Sequence, residues 1–354
     1  MKELAPLIWK EKRLFVVDQR LLPHQERWIE LKDEKDVYKA IKDMVIRGAP
    51  AIGIVAAFGF LLGVRNLKLS DDDKLRIRIR EIGEYLRSAR PTAINLSWAI
   101  ERMLKRTLKW LANKRGSLIT ILESEATSIL REDIKTNRRI GYFGNRLIPE
   151  KATILTHCNA GALAVGGYGT AIGVIRSAFE SGKEITVFVD ETRPYLQGAR
   201  LTSYELKRLG IRHYIITDNT AGYLMNRKLV DLVITGADRI VRNGDTANKI
   251  GTYSIAVLAK ENKVPFYIAA PISTFDLTKE SGEEIPIEER DSEEVLNISG
   301  RRIAPRGVRA LHLGFDVTPA KYIKAIITEK GIIYPPYRRN ILKIRERTEL
   351  NSKR

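Results

Sequence analysis

Five short apolar runs decide the fold: ATILTH (152–157), EITVFVD (184–190), RHYIIT (212–217), LVDLVITG (229–236) and VPFYIAA (264–270). Each is rich in β-branched residues, which favour strands. Segments with helical character lie between them, at 168–181, 202–209, 221–227 and 253–261. Strands and helices in alternation predict a parallel sheet with helices on both faces, so we expect an α/β protein.

The residues before these runs predict a different order of elements, with short strands first and helices after them. RLFVVDQ (13–19) and RWIEL (27–31) predict short strands. Helices are expected at 33–46, from Ala51 onward, at 72–87 and at 117–139. We therefore expect three parts: a small, mainly helical N-terminal domain with short strands (1–145), a Rossmann-like domain with a parallel sheet (146–336), and a basic, only partly ordered C-terminal tail (337–354).

Composition narrows the class of protein. The chain has 354 residues and one cysteine, Cys158, so an intrachain disulfide is excluded and a reducing cytoplasm is indicated. The segment before Trp9 has no secretory pattern, and the apolar, uncharged stretch 48–64 is slightly short for a bilayer crossing. We therefore expect a cytoplasmic protein that does not span a membrane.

The formal charge of +18 raises nucleic acid as a partner. Lys and Arg are scattered among Asp and Glu along the chain, and only 337–354 concentrates them. No zinc-finger spacing and no RNA-binding aromatic motif occurs in the sequence. Because net charge bears on non-specific association, we do not expect specific nucleic-acid binding.

Ligands of open parallel sheets lie beyond the carboxyl ends of the strands, so the residues after each run matter most. The first run continues as THCNAG (156–161) into a Gly-rich stretch. That stretch matches neither GxGxxG nor GxxxxGK[ST], so neither a dinucleotide nor a P-loop nucleotide is supported. Cys158 is either inert packing or, near a helix N-terminus, a thiol of lowered pKa that acts as acid or base.

Polar residues also follow the second and fourth runs. DETRPYLQGAR (190–200) carries arginines suited to phosphate and Gln197, which is suited to a sugar hydroxyl. Asp238 follows the fourth run and is either a catalytic carboxylate or the cap of a short helix. Asn248 and Lys249 precede the next helix, where an oxyanion or hydroxyl could bind.

Two arginines of the N-terminal region stand beside apolar, tight-turning sequence. Arg47 begins RGAPAIG (47–53), and Arg90 begins RPTAINL (90–96). A merely solvated arginine is unusual in such a setting.

Taken together, these segments resemble the methylthioribose-1-phosphate isomerase family. The matching pieces occur in family order: RGAPAIG (47–53), RPTAINL (90–96), THCNAGALA (156–164), DETRPYLQGARLTSYEL (190–206), GADRI (236–240), NGDTANKIGTY (243–253) and FDVTP (315–319). The resemblance implies a homodimer whose Rossmann-like domain is catalytic. It also implies a cytoplasmic enzyme of methionine salvage that acts on a small sugar phosphate, with no cofactor and no metal.

The resemblance also implies roles for single residues. Asp238 would be the proton donor, and Cys158 the partner acid/base or the stabiliser of the transition state. The substrate-binding residues would be Arg47, Gly48, Ala49, Arg90, Gln197, Asn248 and Lys249.

Two relatives of this fold remain alternatives. One is ribose-1,5-bisphosphate isomerase; Pro50-Ala51, which follows Arg-Gly-Ala within the first motif, favours the methylthioribose enzyme instead. The other is the group of non-enzymatic regulatory subunits of an initiation-factor exchange factor, which generally lack the Cys and Asp pair. The sequence does not choose between proton transfer and a hydride shift from C2 to C1.

Overall fold

The computed structural model describes residues 4–67, 71–91 and 93–352, with side chains as far as Ile344. The chain forms two compact units. The first, here called the helical unit, runs to Thr136 and includes 162–169; the second, the sheet unit, comprises 137–161 and the chain from Thr170 onward. The mixed α/β fold with a parallel-stranded sheet is confirmed. The division between the units falls inside a long helix, and 162–169 belong with the earlier residues.

The helical unit begins with a three-stranded antiparallel sheet and continues as helices. Its elements are β1 Leu7–Lys10, β2 Arg13–Val17, β3 Trp28–Leu31, α1 Glu34–Lys42, α2 Ala49–Arg65, α3 Asp72–Arg87, α4 Ile94–Asn113 and α5 Leu118–Asn145. The last turns of α5 are part of the sheet unit. A short 3-10 turn at Ala162–Ala164 belongs to the helical unit.

Helix α2 is the centre of the helical unit. Every residue from Ala51 to Val64 is buried, and α1, α3 and α4 pack around the helix. Glycine permits this packing: a Cβ on Gly53 would lie 2.7 Å from the carbonyl oxygen of Asn95 on α4. Helix α2 is apolar on all its faces because other helices enclose it. Within the described residues, no helix has both the length and the apolar character that a bilayer crossing requires.

The sheet unit contains the predicted alternation. Its first half comprises β4 Lys151–Thr156, α6 Ala171–Glu180, β5 Glu184–Asp190, α7 Ser203–Leu209, β6 Arg212–Ile216, α8 Thr220–Asn226, β7 Leu232–Thr235, β8 Arg239–Val241, β9 Thr246–Lys249, α9 Thr252–Glu261 and β10 Phe266–Ala269. The second half comprises β11 Phe275–Asp276, α10 Glu293–Leu296, β12 Asn297–Ile298, β13 Arg301–Arg302, β14 Phe315–Thr318, β15 Ala325–Thr328, β16 Gly331–Ile333 and α11 Tyr337–Ser352.

Seven strands form the main sheet in the order β16-β15-β10-β7-β4-β5-β6, and all but β16 run parallel. The five predicted strands are β4, β5, β6, β7 and β10. From β4 the chain proceeds through β5 to β6 at one side, and then returns to place β7 on the other side of β4. The strand order therefore reverses between β4 and β7, which is where open α/β sheets bind ligands.

A second sheet, in the order β11-β8-β9-β14, follows the exit of β7. Its strands are short, and β9 pairs antiparallel with both β8 and β14. In the second pairing, Asn248 lies opposite Asp316 and Lys249 opposite Phe315. This sheet is not among the elements that the sequence predicts.

The C-terminal tail corrects one expectation. Helix α11 begins at Tyr337, and Tyr337 and Ile341 are buried in the core that includes β10 and β15. Ile344 packs against the same core. The first turns of the basic tail are therefore an amphipathic helix. Its apolar residues dock on the sheet unit, although many of its residues are charged. Lys353 and Arg354, at the end of the predicted tail, lie outside the described residues.

This docking predicts a loss of stability when the core contact is truncated. Ile341→Ala should lower the free energy of unfolding by about 2–5 kcal/mol, the usual cost of removing a buried isoleucine side chain. The control Lys343→Ala, at an exposed position of the same helix, should change it by no more than about 0.5 kcal/mol. Urea unfolding of the two variants measures both values, and equal stability of the two would contradict the docking.

Candidate active site

The parallel register gathers the ends of three strands at one edge of the main sheet. Thr156 on β4 pairs with Val189 on β5, so the next residues, His157 and Asp190, are neighbours. On the other side Leu155 pairs with Val233 on β7, and a Cβ on Gly236, just beyond β7, would lie 2.7 Å from the Cβ of Ala160. The segments that carry Cys158 and Asp238 therefore leave adjacent strands at the point where the strand order reverses.

His157 and Asp190 form a buried hydrogen-bonded pair. The ring Nδ1 lies 3.0 Å from Asp190 Oδ2, and Nε2 lies 2.8 Å from the carbonyl oxygen of Ile250. A carbonyl oxygen only accepts hydrogen bonds, so Nε2 carries a hydrogen and donates it. One further proton lies between Nδ1 and the carboxylate, so the pair as a whole has no net charge.

The surroundings of the pair favour its protonated forms. Burial opposes the charged imidazole, but the hydrogen bond and negative charge of Asp190 outweigh this effect and raise the pKa of His157. Burial raises the pKa of Asp190 to about 6, against the hydrogen bond to His157, which lowers it. Asp218, after β6, lies close by, and its charge raises both pKa values.

The backbone at Cys158 is held in an uncommon conformation. Its φ is 62°, in the left-handed region that non-glycine residues rarely adopt. The Cys158 N–H donates to Thr192 Oγ1 at 2.9 Å, and Thr202 Oγ1 donates to the Cys158 carbonyl at 2.6 Å. These bonds fix the direction in which the half-buried thiol leaves the strand.

A second buried group supports the turn after Cys158. Glu205 on α7 is 1% exposed and accepts a hydrogen bond from Asn159 Nδ2 at 2.8 Å. A Cβ on Gly161 would lie 2.2 Å from a Glu205 carboxylate oxygen, so a larger residue there would displace this carboxylate. The turn is therefore built against a buried carboxylate.

Gln197 precedes a π-helical turn at Gly198–Thr202. A Cβ on Gly198 would lie 1.7 Å from the Asp190 carbonyl oxygen, so this turn sits directly on the end of β5. Gln197 is 3% exposed, and its Oε1 has no hydrogen-bond partner among the described residues. A buried amide oxygen in that state can accept a hydroxyl.

The remaining site residues of the sheet unit follow β7 and β9. Asp238 is half-buried, and its N–H donates to the Ala247 carbonyl at 2.9 Å. Asn248 is buried and donates through Nδ2 to Thr252 Oγ1 at 3.0 Å. The Lys249 ammonium donates to the Gly314 carbonyl at 2.8 Å and lies 4.4 Å from the centre of the Phe315 ring.

Asp316 fixes the start of the helix that follows Lys249. Its carboxylate accepts the N–H groups of Gly251 at 2.7 Å and Tyr253 at 3.1 Å, at the N-terminus of α9. Burial raises the pKa of Asp316 to about 6, although these two hydrogen bonds lower it. Asp316 in FDVTP and Asp190 at the second strand exit have no role that their sequence context predicts.

Four predicted residues belong to the helical unit. Gly48 caps the N-terminus of α2 with a φ of 92°, and Ala49 is the first residue of that helix. A Cβ on Gly48 would lie 2.3 Å from the Ala164 carbonyl oxygen, in the segment 162–169 of the same unit. Arg47 is 6% exposed, and the half-buried Arg90 lies in the turn between α3 and α4, with a guanidinium nitrogen 3.8 Å from the Met44 sulfur.

Among the described residues, His157, Asp190 and Asp218 place possible metal-ligating atoms within 4.8 Å of one another. The two oxygens of Asp218 accept the N–H groups of Thr192 and Arg193, both at 2.7 Å. Both ring nitrogens of His157 are also engaged. A metal ion would have to displace these hydrogen bonds, so the present arrangement fits a hydrogen-bonded anchor better than a set of metal ligands.

Comparison with known proteins gives full-length similarities. The model of the Initiation factor 2 subunit family matches residues 45–335. Methylthioribose-1-phosphate isomerase of Thermotoga neapolitana is 57% identical over 336 residues, which are 95% of this chain and 96% of that protein.

Two solved structures match the fold closely. The crystal structure of 5-methylthioribose 1-phosphate isomerase from Pyrococcus horikoshii OT3 superimposes with a TM-score of 0.90 at 42% identity, over 98% of this chain and 97% of that one. The structure described as translation initiation factor eIF-2B, subunit delta, from A. fulgidus gives a TM-score of 0.86 at 41% identity, over 97% of this chain and 99% of that one.

The buried pair predicts how stability varies with pH. Because the pKa values of His157 and Asp190 are raised on folding, their contribution is fully present at low pH and is lost as pH rises. In Asp190→Asn the carboxylate is gone and burial lowers the pKa of His157. The unfolding free energy of the natural protein minus that of the variant should therefore fall as pH rises from 3.8 to above 6.5, the ordinary pKa values of the two side chains. Urea unfolding at several pH values measures this difference. The exposed control Asp43→Asn should give a difference that stays flat, and a constant or rising difference for Asp190→Asn would refute the assignment.

Proposed function

The chain belongs to the Initiation factor 2 subunit family, and we propose that within it this protein is an aldose–ketose isomerase that converts 5-methylthioribose 1-phosphate into 5-methylthioribulose 1-phosphate in methionine salvage. The observation that carries the proposal is the high identity over nearly the whole chain to enzymes of this name. The site supports it, because a thiol and a carboxylate follow adjacent strands where the strand order reverses.

The reaction requires an acid. The phosphate on C1 blocks opening of the ring as a free hemiacetal, so the ring oxygen must be protonated while its bond to C1 breaks. Asp238 is the proposed proton donor, and it is half-buried after β7. A carboxylic acid can serve as a proton donor at neutral pH only where its surroundings favour the protonated form.

The second half of the reaction moves one hydrogen from C2 to C1. In a proton-transfer route, Cys158 takes the proton from C2, C1 receives a proton, and the C2 hydroxyl loses its own to become the ketone. In a hydride route, the hydrogen passes directly from C2 to C1, and Cys158 stabilises the transition state instead. The fixed backbone at Cys158 suits either role, since both require a thiol held in one direction.

The proposed substrate-binding set has seven residues. Arg47, Gly48, Ala49 and Arg90 belong to the helical unit, where the two arginines would bind the phosphate. Gln197, Asn248 and Lys249 belong to the sheet unit. The partnerless Oε1 of Gln197 supports its assignment to a sugar hydroxyl.

The finer assignments are proposals of the same kind. We infer a mainly helical N-terminal domain at 1–145 and a Rossmann-like catalytic domain at 146–336. The protein would act as a cytoplasmic homodimer without a cofactor, on a small sugar phosphate rather than on nucleic acid. The composition, rich in Ile, Lys, Arg and Glu with few Gln, is typical of a thermophile.

The similarity to the A. fulgidus structure named as an initiation-factor subunit makes a non-enzymatic subunit the competing function. A direct assay separates the two. Purified protein incubated with 5-methylthioribose 1-phosphate should release the ketose phosphate, with little turnover of ribose 1,5-bisphosphate in a parallel reaction. Turnover of the bisphosphate alone would assign the neighbouring activity, and no turnover of either by folded protein would reject the isomerase. In D2O, deuterium at C1 of the product marks proton transfer, because a hydride shift carries the original hydrogen from C2 to C1.

The two proposed catalytic groups should be needed for turnover but not for folding. Cys158→Ser and Asp238→Asn should each lower kcat by about 10²–10⁴-fold, the usual effect of removing an acid or base. Their melting temperatures should stay close to that of the natural protein. Asp43→Asn makes the same chemical change at an exposed residue of the helical unit and should keep full activity. Substitution of both catalytic residues without loss of turnover would refute these roles.

A further inference from the structure

One buried side chain joins three elements of the sheet unit. His157 follows β4, is 2% exposed, and contacts Asp190 at the end of β5 through Nδ1. Its Nε2 reaches the Ile250 carbonyl, in the loop between β9 and α9. A Cβ on Gly251 would lie 2.9 Å from the ring Cε1, so the loop packs directly on the imidazole.

The loop that His157 contacts begins directly after two proposed substrate-binding residues. Asn248 and Lys249 end β9, and Ile250 and Gly251 follow. Away from His157, the loop is held by β14: the Ile250 N–H donates to the Gly314 carbonyl at 3.2 Å, and the Gly251 N–H donates to Asp316. His157 is therefore the tie between this loop and the strand end that carries Cys158.

The two hydrogen bonds of the His157 ring fix which nitrogen carries the hydrogen that points at the loop. The carbonyl of Ile250 requires a hydrogen on Nε2, and Asp190 at Nδ1 orients the ring so that this hydrogen points at the loop. In metal sites, a carboxylate that bonds the second ring nitrogen orients a metal-binding histidine in the same way. Neither ring nitrogen is left to react with a substrate.

We propose that His157 is a positioning residue that holds Asn248 and Lys249 in register with Cys158 through its bond to the Ile250 carbonyl. The proposal rests on the isomerase function for its meaning in catalysis, but the tie itself can be tested without turnover. Asp190 is the partner that fixes the tautomer.

The two halves of the tie can be separated by substitution. The amide nitrogen of Gln stands as many bonds from Cα as Nε2 of His, whereas that of Asn stands as many bonds away as Nδ1. His157→Gln can therefore keep the bond to Ile250, and His157→Asn cannot reach it. Both are made together with Asp190→Asn, so that no buried carboxylate loses its partner. Asp190→Asn alone is the reference, because the amide group that replaces the carboxylate can still donate to Nδ1.

We expect the His157→Asn double variant to raise KM about tenfold over the reference, as the loss of one buried hydrogen bond predicts, with a much smaller change in kcat. The His157→Gln double variant should return KM to within about threefold of the reference. Amide hydrogen exchange of residues 246–253 should become faster in the Asn variant and not in the Gln variant. Equal KM and equal exchange in the two double variants would overturn the proposal, because a role confined to folding would not distinguish them.

Two further measurements test the contact from the loop side and without turnover. Gly251→Ala disturbs the same contact from the loop side and should also raise KM and exchange, so a KM unchanged from that of the natural protein would count against the tie. If the natural protein does not turn over the substrate, the proposed function fails, while the exchange comparison still decides whether His157 holds the loop. Faster exchange with an unchanged KM would overturn the proposed role in binding. His157 would then hold the loop, but the position of the loop would not affect substrate binding.

Discussion

The parallel pairing of β4 with β5 on one side and β7 on the other is the constraint on which the site depends. Parallel strands end at one edge, so residues far apart in sequence leave the sheet together. The register at Thr156 and Val189 places His157 beside Asp190, and the pairing of Leu155 with Val233 brings the segment of Asp238 beside that of Cys158. The order reverses between β4 and β7, so the loops there diverge and leave space for a ligand.

The same edge concentrates carboxylates, and burying them is costly unless each has donors. Asp190 has the imidazole of His157, Asp218 has two backbone N–H groups, and Asp316 has two more at the start of α9. These hydrogen bonds are made within the protein itself. The loops that carry the proposed substrate-binding residues of the sheet unit are thus set in place before any ligand arrives, which lowers the entropy lost on binding.

Much of this could be predicted from sequence, because five strands and most helices have strong periodicity or β-branched composition. The second sheet could not: TANK of β9 has no apolar alternation, and its partner in β14 lies more than sixty residues later. The sequence left open whether Ile341 docks on the body, because the many charged residues around it also suit a solvated terminus. Cys158 and Asp238 stood out as reactive groups after apolar runs. His157 did not, since its partners are 33 and 93 residues away and only the register reveals them.

Backbone conformation bears on the choice between an enzyme and a binding subunit, because the two share this fold. Cys158, Thr192 and Leu196 all have φ near 60°, and for the β-branched Thr192 this is a real outlier. All three follow β4 or β5 at the ligand-binding edge. Such conformations cost about 1–3 kcal/mol each and persist only when the surroundings enforce them, as Thr192 and Thr202 do at Cys158. Strained backbone in these segments supports the proposal that the thiol is held for chemistry, since a surface that only binds another protein does not require such strain.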